Sequence, residues 1–254
     1  MPSKSQKHSS SKMRLVLAYH GARFGGWQKQ KNNPSIQQAL ESALTQLNGH
    51  PVGATAAGRT DAGVHAWGQV VHTQLVKPTP PKTVQRALNA ILPEDILVRS
   101  VHGISNGFHA QRDAKHKTYR YRIYHSTTKP LFERSVTHWV SHPLDLTKMR
   151  KAAKSWVGRH NFKSFQSTGS SAKTTTRRVD AIVIRKRGAE IWVDITADGF
   201  LYHMARRMVG LLIDIGKGKV SPQAAYDLVG SKRSKITPTT APAKGLCLMQ
   251  VSYV

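Results

Sequence analysis

"AAGRTDAGVHAWGQVVH", Ala56 to His72, places a turn in front of a strand. Its second half runs on as "VHAWGQVVHTQLV" (64–76), which alternates with the period of a β-strand. Its first half sets Asp61 between Arg59-Thr60 and Ala62-Gly63. "RTDAG" makes a good turn, and an Asp there often closes an Asx-turn. Yet acids are scarce, 13 Asp plus Glu against 39 Lys plus Arg. Asp61 therefore has two readings, a turn residue or a chemical group.

Outward from this stretch the chain alternates strands and helices. "MRLVLAYH" (13–20) reads as a strand, and "GARFGGWQKQKNN" (21–33) as a Gly-rich loop. Ser35 with Gln38 three residues on is a capping-box pattern. The helix it starts carries Ile36, Leu40, Leu44 and Leu47 as its core stripe, with Gly49 at its end. A strand passes through Val52 and Ala54. "PPKTVQRALNAIL" (80–92) predicts a helix with Val84, Leu88 and Ile91 inward, and "DILVRSVHG" (95–103) a strand. The second half echoes this order without repeating its sequence. "KTYRYRIYH" (117–125) is a strand, and "LDLTKMRKAAKSWVG" (144–158) a helix with Leu146, Met149, Ala153 and Trp156 on one face. Strands "RRVDAIVIRKRG" (177–188) and "EIWVDITAD" (190–198) follow, then the helix "GFLYHMARRMVGLLIDIG" (199–216) and the closing strand "GLCLMQVSYV" (245–254). The pattern predicts an α+β protein of two similar halves. Their boundary falls near residues 105–112, and chemistry is expected in a cleft between them.

The bulk composition narrows the partners. With 254 residues, 39% hydrophobic and 20% charged, the chain can bury a sizeable core. The net charge of +26 and pI near 10.7 call for a polyanion, nucleic acid before an anionic membrane surface. "MVGLLIDIG" (208–216), the longest apolar stretch, is too short to span a bilayer. The Ser/Lys/His-rich residues 1–12 lack the apolar core of a signal peptide and read as a disordered basic tail. The single cysteine, Cys247, excludes disulfides within the chain and favours the cytoplasm.

Most catalytic classes lack their residues. One cysteine excludes Cys-rich zinc sites, and no H-E-x-x-H is present. His65 and His72, seven apart on one strand, face opposite sides and read as satisfied or surface histidines. "GKGK" (216–219) lacks the Walker spacing, and no G-x-S-x-G elbow occurs. A two-metal nuclease needs clustered carboxylates, for which Asp194 and Asp198 in "DITAD" are thin support. Arg206 and Tyr119 weigh the other way. On a helix from Phe200 to Ile215, Arg206 falls at the edge of a wide apolar arc, and Arg207 on the polar side with His203 and Asp214. A partly buried arginine needs a carboxylate or phosphate. In "TYRYRIY", Tyr119, Tyr121 and Ile123 share a strand face; the core reading suits Tyr121 and Ile123, and Tyr119 at the entry has a second reading, stacking on a base.

"GWQKQ" (26–30), "AAGRTDAGVHAWGQVVH", "KTYRYRIY", "FLYHMARRMVG" and "TAPAKGLCLMQVSY" together resemble the signature blocks of the TruA family of tRNA pseudouridine synthases, in order, over roughly residues 13–254. The resemblance implies the pseudouridine synthase fold, with two halves sharing a largely antiparallel sheet and a central cleft. It places the catalytic Asp on residues 13–108 and the active-site Tyr and Arg on 109–254. It implies that Asp61 is the nucleophile that isomerises uridine at positions 38, 39 and 40 of the tRNA anticodon stem-loop. Tyr119 then stacks on the target base, Arg206 pairs with the aspartate, and Arg59 helps flip the uridine out. It implies no metal, no organic cofactor and a homodimer. "FHAQ" (108–111) departs from the family's commoner "FHAR", so Gln111 keeps hydrogen-bonding capacity without the charge. A catalytically silent RNA-binding protein of the same fold is the main alternative, and a metal-dependent nuclease the lesser one.

Overall fold

The computed structural model describes residues 11–170, 172–229 and 236–254, so the first ten residues of the basic tail lie outside it. The described chain falls into two units, divided between Ala114 and Lys115.

In the first unit, β1 (Ser11–Tyr19) turns Met13, Leu15, Leu17 and Tyr19 to the core. Then come α1 (Ile36–Asn48), β2 (Ala54–Ala56), β3 (His65–Leu75), α2 (Pro81–Ile91) and β4 (Ile96–Gly103). β1 pairs antiparallel with β3 on one side and β4 on the other, and β2 adds to β3. Ser35 caps α1 as read, its hydroxyl accepting the Gln38 N–H at 3.2 Å, and Gly49 ends it in the left-handed region at φ 75°. Ile36, Leu40 and Leu44 are buried, but Leu47 is only half-buried. Asn48 is enclosed there instead, because its amide oxygen accepts the Val76 N–H and its nitrogen donates to His50 O. In α2, Val84 and Leu88 are buried, Ile91 is half-buried, and Leu92 just past the helix fills the core.

The second unit contains β5 (His116–His125), β6 (His138–Val140), α3 (Leu146–Lys154), β7 (Gly158–Asn161), β8 (Thr176–Arg187), β9 (Glu190–Ala197), α4 (Met204–Gly216), α5 (Gln223–Asp227) and β10 (Leu246–Ser252). Its strands run in the order β10-β5-β9-β8-β7, all antiparallel, with short β6 parallel to β5. Tyr119, Tyr121 and Ile123 of β5 stand opposite Ile195, Val193 and Ile191 of β9 and are buried with them. On the other face Arg120 makes a two-pronged contact with Asp194 (2.7 and 2.9 Å), and Trp192 lies between Arg120 and Arg187 at 4.1 and 4.7 Å.

Both units mix helices with mainly antiparallel strands, so the chain is α+β. Three readings differ in detail. The helix read to Gly158 stops at Lys154, where the Ser155 hydroxyl donates to Ala152 O; Trp156 is buried beyond the helix, its Nε1 donating to Ala225 O. The helix read from Gly199 starts at Met204, because His203 sits at φ 63° and breaks the helical path. β6, β7 and α5 escape the sequence reading because three to five residues hold too little periodicity.

Candidate active site

The Asp61 loop links β2 to β3 and is braced from several sides. Thr60 is buried, 5% exposed, and its hydroxyl meets the Tyr19 hydroxyl at 2.8 Å. Gln69, fully enclosed on β3, donates to Gly58 O at 2.8 Å. The Trp27 N–H donates to Thr60 O, and the Gly63 N–H to Phe24 O. The turn closes on itself where the Val64 N–H donates to Asp61 O at 3.1 Å, with Gly63 at φ 76°. Gly26 lies against the loop, and a Cβ there would stand 2.6 Å from Thr60 O and 3.0 Å from the Asp61 carbonyl carbon. The "GWQKQ" and "GRTDAG" strings are thus one packed piece. Asp61 is half-buried on this frame, and Arg59 two residues before it is exposed. Such a loop fixes a carboxylate in place without using it up in a helix or strand.

In the second unit, Tyr119 is 7% exposed and takes the Phe200 ring edge-on, with centroids 4.9 Å apart. Tyr121, two residues on, donates its hydroxyl to Pro242 O at 2.8 Å; burial pushes its pKa far up, against the nearby Arg206 charge. Arg206 on the first turn of α4 is half-buried, as its helical phase predicts. Its Nε donates to Ala241 O at 2.8 Å, and the Ala241 N–H donates back to Arg206 O at 3.1 Å. The side chain is thereby held at its neck, which aims the guanidinium.

Arg207 differs from its reading. It is half-buried rather than on a polar face, because its Nη1 donates to Gln166 O at 2.8 Å and its Nε to Thr240 Oγ1 at 3.4 Å. The two irregular segments that cover this flank have no periodicity to announce them. His203 hydrogen-bonds Ser167 Oγ at 2.9 Å.

The histidines and acids set aside above have structural partners. His65 Nδ1 accepts the Gly21 N–H, and His72 Nδ1 accepts the Ala110 N–H. Asp194 is taken by Arg120, and Asp198 accepts the Arg178 N–H. Among the described residues no three His, Cys, Asp or Glu are grouped to hold a metal ion, and no helix is long and apolar enough to cross a membrane. Sequence reasoning missed Gly26 and Phe200 as supports. A repeated Gly in a loop and an aromatic before a helix were the available signals, and neither names its contact.

A strongly basic α+β protein with a braced aspartate turn, a tyrosine on a buried strand face and a backbone-anchored arginine has the parts of an enzyme acting on nucleic acid. A family model described as tRNA pseudouridine synthase matches residues 15–111 and 152–254. The chain belongs to that family, as the motifs led one to expect. It is 39% identical over 241 residues to tRNA pseudouridine synthase A of Acetivibrio thermocellus, covering 95% of this chain and 99% of that one. It is 41% identical over 244 residues to the protein of that name from Syntrophotalea carbinolica, with 96% of each chain covered. For the Geobacter sulfurreducens protein of that name the identity is 40% over 241 residues, 95% of this chain and 99% of the other. Arg59, Asp61 and Arg206 fall inside the segments matched by the family model, and Tyr119 between them.

Proposed function

We propose that this protein isomerises uridine to pseudouridine at positions 38, 39 and 40 of the tRNA anticodon stem-loop, with Asp61 as the nucleophile. The observation that carries the reading is the braced turn presenting one of few carboxylates in a chain of net charge +26. The uridine C1′–N1 bond breaks, and an ionised carboxylate serves either the sugar carbon or the base as nucleophile. The freed uracil rotates and rejoins C1′ through C5, C5 loses its proton and N1 gains one, so the product is an isomer. The resemblance gives the other roles. Arg206 pairs with the carboxylate, offering it a planar two-pronged guanidinium. Tyr119 stacks on the base, and Arg59 aids its extrusion from the stem. Lysine and arginine elsewhere hold phosphates, which position the stem rather than read it.

In this proposal residues 13–108 supply the aspartate and 109–254 the tyrosine and arginine. The protein works as a homodimer in the cytoplasm. Tritium release from tRNA labelled at uridine C5 tests the reaction. EDTA-insensitive release is expected from the wild type. Asp61→Asn should abolish it while keeping tRNA affinity within about an order of magnitude, because many basic groups hold the stem. Tritium release by that variant overturns the role of Asp61. Binding without release by the wild type supports a silent RNA-binding protein, and EDTA-sensitive cleavage a nuclease.

A further inference from the structure

Along one face of the second unit's sheet, a row of side chains leads from Tyr119 to the strand ends. Lys117 precedes Tyr119 by two residues on β5, so the two share a face. Lys117 stands opposite Ala197 of β9, and Ala197 opposite Val179 of β8. Arg177, two residues before Val179, shares this face one step further out. Its Nε lies 3.3 Å from where a Cβ on Gly199 would be, so the guanidinium rests over bare backbone beside Phe200. Its Nη1 is fixed by Thr174 O and Thr176 O, at 3.1 and 2.7 Å, which leaves its other nitrogens for a ligand.

The charge on this row is not neutralised. Among the described residues neither Lys117 nor Arg177 is in an ion pair, although each is half-buried. The acid nearby, Asp198, has its Oδ1 accepting the Arg178 N–H at 3.0 Å. Burial and the Arg177 charge hold the Lys117 pKa below its usual value, and Asp198 offsets this in part. Two half-buried cations beside one carboxylate, whose Oδ1 is already engaged, are a poor arrangement for the free protein. They suit an anion with several acceptor oxygens.

We propose that Lys117 and Arg177 bind backbone phosphates of the RNA strand next to the nucleotide received by Tyr119. The site rests on the reading of Tyr119 given above. A strand entering along the row meets Arg177 first and Lys117 second, and its base then reaches Tyr119 with its Phe200 support. The two cations fix the register of the strand without reading its sequence.

Equilibrium binding of an unmodified tRNA anticodon stem-loop, measured across a salt series, tests this. Lys117→Met and Arg177→Gln should each weaken binding and flatten the slope of log affinity against log salt by about 0.7, the value for one phosphate of a single strand. Lys117→Arg should restore both. Asp198→Asn, which keeps the acceptor for Arg178, should tighten binding, a gain that a purely structural role does not give. Thermal melting of each variant establishes folding, and if Lys117→Met fails to fold, Arg177→Gln and Asp198→Asn decide. An unchanged slope in variants that fold overturns the proposal, whether or not turnover falls. Failure of the wild type to release tritium overturns the enzymatic reading instead, and the two outcomes are read separately.

Discussion

Gly26 has no side chain because the Asp61 loop fills the space where one would be. At φ 99° a non-glycine residue is strained, and its Cβ would meet backbone atoms that cannot swing aside. Gly26→Ala is therefore expected to destabilise the fold by roughly 1–3 kcal/mol and to displace Asp61. Thermal melting and tritium release should both register it, and a variant with wild-type turnover would show that the brace is dispensable. Tyr119 offers a second test at this scale. Base–aromatic stacking is worth about 1–3 kcal/mol, so Tyr119→Phe should keep much of the tRNA affinity and Tyr119→Ala should lose it. If Tyr119→Phe instead binds normally and stops after bond cleavage, the hydroxyl takes part in proton transfer. The turn at Asp61 was legible because "RTDAG" is local chemistry. The contact of Gly26 with Thr60 was not, since 34 residues separate them and nothing local records the approach.

At the scale of elements, α4 shows both what periodicity gives and where it stops. The wide apolar arc read from its phase is buried, with Met204, Met208, Leu211 and Ile215 all in the core. The phase also placed Arg206 at an apolar edge, where it is half-buried. The start was missed because Gly199 to Leu201 continue the apolar pattern while the backbone turns aside at His203. The environment of Arg207 was missed because what covers it is loop. Gly210 marks that cover, since a Cβ there would stand 1.9 Å from Thr239 O. Arg207 joins this segment to a second one through Thr240 and Gln166. Arg207→Lys, which a polar-face position would tolerate, should therefore cost about 1 kcal/mol, one net hydrogen bond. Urea unfolding measures it, and an unchanged midpoint would mean that the two contacts contribute nothing.

At the scale of the whole molecule, the charge was read from composition alone, and the structure shows how the few acids are used. Asp194, Glu190, Asp180, Asp95 and Asp145 each face an arginine, lysine or histidine of the same chain. Asp194, Glu190, Asp95 and, through His116, Asp180 join separate segments, whereas Asp145 meets Lys148 at the start of its own helix, and together they take little from the surplus. With 39 lysines and arginines against 13 acids, the surplus is large, which composition implies but cannot place. The halves were read from composition and pattern together, each as strand-helix-strand with its own periodic stripe. The uses of individual charges were not legible, because an ion pair depends on register across strands. With a net charge of +26, binding to tRNA should weaken steeply with salt, log affinity falling against log salt by roughly 0.7–0.9 for each phosphate contacted. The slope comes from released counterions, so Asp61→Asn, which touches no phosphate in the proposed mechanism, should leave it unchanged. A salt titration of the wild type and of that variant checks both statements. A nearly flat wild-type slope would mean that the basic surplus faces something other than RNA.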